Sequence, residues 1–250
     1  MVTRAPEPVV NRPAFQPNTA PLGHIEYATN ISKIRSTRAR GRVAIVLIWL
    51  STVASGFGLF TAQFRRVKWQ DYLKVKDAAS IDAVDKADHL VLIAVLVDLG
   101  LLVLAAIAVA AWARRVAKNA IARGARNVSV GRATIGWFIP IGLWWIGFSS
   151  VRASVTQLGG SRGRVGLWQG TFFFAFVASS LSSSRLGRLS LAESEGEVTN
   201  TLNRILIAQA VSAATFLVAA IFATRAIVDT NRVVSDPPPG YASQAGRVAS

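Results

Sequence analysis

Apolar residues in this chain come in long unbroken runs, not in alternating or helical stripes. Five runs stand out, at 43–64, 89–112, 133–151, 165–186 and 202–226, and polar, charge-rich stretches separate them. A run of about 20 residues is what a bilayer asks for, because its hydrocarbon core is roughly 30 Å thick and a helix rises about 1.5 Å per residue. The pattern predicts an all-α protein, a polytopic transmembrane helix bundle. No stretch reads as a separate soluble domain.

The runs differ in quality. The first, 43–64, holds no charge, and Ser51, Ser55 and Gly58 set small residues at helical spacing, a face suited to packing on another helix. Residues 65–88 read as a charged loop, with the second helix starting near Ala78 behind Asp77, and with Asp82 and Lys86 spaced i,i+4. The second run continues past Trp112 into Arg114, Arg115, Lys118 and Arg123, interleaved with Val116, Ala117, Ala120 and Ile121. This predicts an amphipathic extension lying at an anionic interface and stopping at Gly124. The fourth run begins Gly166-Leu167-Trp168, carries a Gly166/Gly170 pair that suggests close helix contact, and ends among serines. Ser194 to Glu197 fits a capping box for the last helix, which Pro237-Pro238-Pro239 stops.

The third run is the ambiguous one. Pro140 sits in its middle, and Gly136, Gly142 and Gly147 punctuate it. Proline removes a backbone donor and kinks or breaks a helix, and unsatisfied backbone in hydrocarbon costs several kcal/mol. The expected form is therefore four full spans plus a Pro-broken fifth segment, re-entrant or kinked, packed against the other helices. A kinked full span remains the alternative. The domain organisation is then a Pro-rich, basic, disordered tail over 1–38, a membrane domain over 39–235 and a disordered tail over 236–250. The N-terminal stretch shows no cleavable signal pattern.

Composition narrows function more than it assigns it. Hydrophobic residues make up 52% and charged ones 16%, against about 25% charged in soluble domains. With no cysteine and two distant histidines, His24 and His89, thiolate and histidine metal sites are not expected. No catalytic or nucleotide motif occurs, so no enzyme activity and no cofactor are predicted. The net charge of +15 sits on flanks of the apolar runs, which points to anionic lipid headgroups and topology control and away from nucleic acid. If the Pro140 segment re-enters, most of the 28 Lys and Arg fall on the side of the N-terminus, and both acidic clusters fall on the other. That predicts a cytoplasmic N-terminus. An Arg-heavy, Ala-rich composition suggests a bacterial plasma membrane.

Two stretches carry a resemblance. Trp112-Ala-Arg-Arg115-Val-Ala-Lys-Asn119-Ala-Ile-Ala-Arg-Gly124, followed by Gly136-Trp137-Phe138-Ile139-Pro140, resembles the bacterial family described as domain of unknown function 4328, over roughly residues 43–235. Leu143 and Gly147 stand where that family usually has an asparagine and a second proline. The resemblance implies a bacterial multispanning membrane protein with no assigned activity, and it supplies no catalytic residues.

Six residues stand out as candidates. Asp98 is the one ionisable residue deep in an apolar run. Its cost at that depth, roughly 2.5 to 3.5 kcal/mol, marks it either as functional or as a protonated acid bonded to a neighbour. Gln209 and the Ser179–Ser184 cluster are the partners within reach. Arg115 and Asn119, one turn apart, either tie the helix end to the Pro140 turn or meet headgroups and solvent. Trp137, with Trp144 and Trp145, lines either a ligand groove or an interfacial belt, the commoner role. The first expectation for function is a non-enzymatic membrane scaffold or interaction protein, embedded in lipid and forming a homo-oligomer or joining other membrane proteins. The alternative is a small transporter or channel-like protein using Asp98.

Overall fold

The computed structural model describes residues 34–125, 127–138, 143–189 and 194–235, without the side chains of 143, 144 and 183–189. Pro140, Ile139 and Gly142 lie outside the described residues, as do 1–33 and 236–250. The fold is all-α, with no strand among the described residues.

Four helices are long and apolar enough to span a membrane. They are α1 (Arg38–Val75), α2 (Ala78–Ala122), α5 (Arg162–Leu189) and α6 (Glu195–Ser235). Between α2 and α5 lie two short helices, α3 (Val130–Ile135) and α4 (Phe148–Gln157), the second preceded by one turn of π-helix, Leu143–Gly147. Helix α1 packs on α2 and α6, and α6 packs on α5. Helix α3 packs on α2, and α4 packs on both α2 and α5. The short helices are therefore the main bridge between α2 and α5.

At about 1.5 Å per residue the 38 residues of α1 extend far beyond a core of roughly 30 Å. The stretch 65–88 is accordingly not the loop its charges suggest. Helix α1 runs on to Val75, and α2 begins at Ala78. Lys76, in the left-handed region (φ 54), donates its N–H to Tyr72 O and ends α1. Asp77 then accepts from Ser80 N at 2.8 Å, and the Ser80 hydroxyl meets Asp77 N in return, a capping box that starts α2. This hydrogen bonding holds the Asp77 carboxyl below its ordinary pKa. Lys86 pairs with Asp82 at 2.6 Å, and Lys76 with Glu195 at 2.5 Å, joining the turn to the start of α6. We call this the distal end.

The chain reversals between α2 and α5 gather at the opposite, proximal end, where α1 also begins and α6 ends. Arg123 donates to Leu158 O and Val233 O, both at 3.1 Å. The end of α2, the end of α4 and the end of α6 therefore meet at one point. The segment between Gly124 and Leu158 leaves this end and returns to it. The described limbs on either side of Pro140 thus begin and end at the same end of the bundle, and four helices are long and apolar enough to span.

Backbone contact shapes that re-entry. A Cβ placed at Gly136 would lie 2.7 Å from Gly147 N and 3.0 Å from Gly147 Cα. The two limbs touch backbone to backbone, so only glycine fits at Gly136. Phe148 and Val151 on the returning limb are buried and pack with Trp112, Val116 and Val165 in the core. That core fills the proximal half of the bundle.

Buried hydrogen bonds fasten this end. Asn231 on α6 accepts from Thr37 Oγ1 at 2.5 Å and from Trp112 Nε1 at 3.2 Å, joining α1, α2 and α6. Gly41 packs against Asn231 so closely that a Cβ would strike its amide nitrogen. Asn119 donates from Nδ2 to Arg35 O at 2.8 Å and accepts from Arg35 N at 3.2 Å, a two-point grip on the backbone entering α1.

Several sequence expectations change here. The extension 114–123 does not lie on the membrane surface. It continues α2 into the bundle, with Val116, Ala117 and Ala120 fully buried, because the re-entrant segment covers it. A Cβ at Gly170 would meet nothing within 4 Å, while one at Gly166 would lie 3.1 Å from Arg152 of α4, so of that pair only Gly166 sits at a helix contact. Residues 34–37, read as part of the tail, are held: Thr37 is fully buried and Ile34 packs against the core.

Two predictions follow from this architecture. Cysteines introduced at Asn127 and Ser161 should label with an impermeant maleimide from the same side of the membrane, and one at Asp82 from the other. Opposite-side labelling of the first two would mean that the segment crosses. Replacing Asn231 by Leu leaves the Thr37 hydroxyl and Trp112 N–H without their buried acceptor. Thermal unfolding in detergent should then show a loss of about 2 kcal/mol.

Candidate functional site

Asp98 lies ten residues along α2 from Asp88, which forms a two-point ion pair with Arg65 (2.5 and 3.1 Å) near the distal end. Ten residues of helix are about 15 Å, half the hydrocarbon thickness. The carboxyl group is thus near the midplane. It faces a small cavity of about 90 Å³ formed by all four spanning helices. Gly58 and Thr61 come from α1, Asp98 from α2, Ser179 and Ser182 from α5, and Gln209 from α6. Arg65 also lines it, so the Arg65–Asp88 pair stands at its distal side.

The sequence spacing explains this convergence. Ser51, Ser55, Gly58 and Thr61 recur at three- to four-residue steps on α1, and Ser51, Ser55 and Thr61 are buried. Small side chains let the helices approach closely. A Cβ at Gly58 would lie 2.9 Å from Gln209 Nε2, so the glycine makes room for that amide. The Thr61 hydroxyl is committed to Gly58 O at 3.0 Å. Asp98 makes no hydrogen bond or ion pair with any described residue. The volume is large enough to admit water beside the carboxyl.

A second cavity, of about 190 Å³, lies toward the proximal end. Its walls are almost wholly apolar and include Trp137, Phe148, Trp168, Phe172, Phe176 and Phe216. Trp137 stacks on Trp168 at 5.9 Å and packs against Phe148 at 4.9 Å. The Trp137 Nε1 is buried without a partner among the described residues. The cavities share no wall residue. About one helical turn separates them, where Ser55, Ala175 and Ser212 are buried and Ser212 donates to Ala175 O at 3.0 Å.

The six candidates thus divide. Asp98 and Gln209 line one cavity. Trp137 lines the other at 7% exposure, which removes it from the interfacial belt; Trp145 at 73% exposure has the outward position that a belt requires. The side chain of Trp144 lies outside the described residues. Arg115 and Asn119 belong to the proximal end, far from either cavity. Asn119 grips Arg35, and Arg123 is the side chain that ties the returning limb, while Arg115 makes no hydrogen bond or ion pair among the described residues. Pro140 lies outside the described residues. Sequence reading placed the Ser179–Ser184 cluster within reach of Asp98, and Ser179 and Ser182 do line its cavity; it missed Thr61 and Asn231. The α1 spacing signalled the first; nothing in the apolar surroundings signalled Asn231.

Chemically the site offers one carboxyl, one amide and several hydroxyls, with the Arg65 guanidinium, neutralised by Asp88, at its distal wall. No group of three or more His, Cys, Asp or Glu that could hold a metal ion occurs among the described residues. The set suits a proton or a monovalent cation, which a carboxylate and neutral oxygens can satisfy.

No protein-family model, no curated protein and no solved structure matches the chain.

A carboxyl without a bonding partner costs stability at this depth. Asp98→Leu is therefore expected to raise the melting temperature in detergent, by the equivalent of about 1 to 2 kcal/mol. A fall would mean that Asp98 is a structural hydrogen-bonding group.

Proposed function

We propose that the protein is a non-enzymatic membrane protein that binds a proton or small monovalent cation at Asp98, in the manner of a small transporter or channel-like protein. The observation that carries this reading is an unpartnered midplane carboxyl opening onto a cavity that four spans wall with both polar and apolar side chains. An ionisable residue kept at that cost is best explained by a charge it must receive and release. Gln209, Ser179 and Ser182 supply neutral oxygens around it.

The scaffold reading stands second, and one observation favours it. Only 11% of the most apolar window of α2 is buried within the chain, although that window is the most hydrophobic of the four spans. This face is available to lipid, to another copy or to another membrane protein. The proposed setting is a bacterial plasma membrane with the proximal end cytoplasmic, supported by the arginines there and by Asp229 as the one acid at that end among the described residues. The resemblance to domain of unknown function 4328 belongs to this proposal and brings no activity with it.

Proteoliposomes carrying an imposed pH or potassium gradient test the reading. Wild-type protein should dissipate one of the two faster than empty vesicles, and Asp98→Asn should remove most of the difference. Equal rates in the wild type, the variant and empty vesicles would leave the scaffold reading, for which the expected result is a defined oligomer or a co-purifying partner in mild detergent.

A further inference from the structure

The re-entrant segment has a second face, turned away from the core, and the Asp98 cavity makes no use of it. Two adjoining hollows, of about 690 and 390 Å³, run along it and share Asn127, Val128, Ser149 and Ala153 as walls. Arg132 lines the first, Arg152 and Arg162 the second, and no acidic residue lines either. The only acid at this end among the described residues, Asp229, is already paired with Arg164. Arg132 and Arg162 are exposed and make no ion pair among the described residues.

Arg152 is held in place. Its Nη2 donates to Gln169 Oε1 at 2.9 Å, and it lies so close over Gly166 that a Cβ there would be 3.1 Å from Nη2. Its Nε is buried without a partner. The glycine and the glutamine fix the guanidinium and leave donors for another acceptor.

Depth identifies the acceptor. Ile135, Phe138 and Trp145, around the far end of the same segment, are 59%, 54% and 73% exposed. Such side chains seek the acyl region and its boundary. With the apolar end in the bilayer, the arginines at the base of the segment sit at headgroup level, where basic pockets between helices take anionic lipid headgroups. Arginine's planar fork suits a phosphate in two-point contact. We propose that the groove between α3 and α4 binds the phosphate-bearing headgroup of an anionic phospholipid, with Arg132, Arg152 and Arg162 as its ligands and Ser149 on its floor. This is independent of the Asp98 reading.

The test is native mass spectrometry of the full chain titrated with phosphatidylglycerol, with phosphatidylcholine and inorganic phosphate as the other arms. Wild type should retain phosphatidylglycerol in preference to phosphatidylcholine. Arg132→Gln with Arg162→Gln should weaken that binding about 25-fold, roughly fivefold for each arginine. Ser149→Tyr, which fills the groove without touching charge, should weaken it as well and covers the case in which the double variant does not fold. Arg38→Gln with Arg114→Gln, exposed at the same end but outside the groove, should leave it within about twofold, since a site-specific loss does not follow from net charge alone. An equal loss in that control, or equal retention of phosphatidylcholine, would overturn the proposal. Displacement of the lipid by millimolar inorganic phosphate would assign the groove to free phosphate and overturn the lipid source.

Discussion

Backbone polar groups cannot go unpaired in hydrocarbon, and the arrangement of this protein follows from where that rule is hardest to obey. Four helices satisfy their own backbone and can face lipid freely. The segment around Gly136 and Gly147 cannot, because its helices are short and its limbs meet backbone to backbone. It therefore has to be walled by protein, and α2 and α5 supply the walls. The wedge in turn holds those two spans apart. The aromatic cavity above it exists because Trp137 and Phe148 cap the space between them rather than filling it.

Charge follows the same division. The proximal end collects the limbs of the re-entrant segment, one end of each of the four long helices and a run of arginines with Asp229 as the one acid there among the described residues. Cations near helix C-termini complement the dipole, and Arg123 does so directly by donating to the carbonyls of Leu158 and Val233. The distal end instead pairs its charges locally, through Arg65 with Asp88, Lys76 with Glu195 and Lys86 with Asp82. The Glu195 carboxylate beside Lys76 raises the amine above its ordinary pKa. That contact is exposed and mainly orients the turn.

The two halves also pack differently. Large side chains, Trp112, Phe148 and Trp168, fill the proximal core, while the region between the cavities is closed by Ser55, Ala175 and Ser212. Small residues bring helices close but leave little to fill gaps, so a polar void at Asp98 persists one turn away. Close packing and a retained cavity are here two results of one choice of side chains.

The sequence by itself determined the class of protein and the oddity of the Pro140 segment, because bilayer thickness and proline chemistry act on local sequence alone; it left four against five spans open, and the structure shows four helices long and apolar enough to span. The sequence also singled out Asp98 and Gln209, since a polar residue in an apolar run is conspicuous whatever it touches. Tertiary structure alone decided the rest. Residues 65–75 continue α1 because neighbouring helices support them, which charge counting does not register, whereas the start of α2 at Ala78 was legible. Trp137 is buried and Trp145 exposed because the limbs of the re-entrant segment turn one toward α5 and the other toward lipid. Arg123 took the tying role that spacing suggested for Arg115, and Asn231 became a junction of three helices, because the meeting of distant helix ends depends on how the spans cross, and no local pattern encodes that.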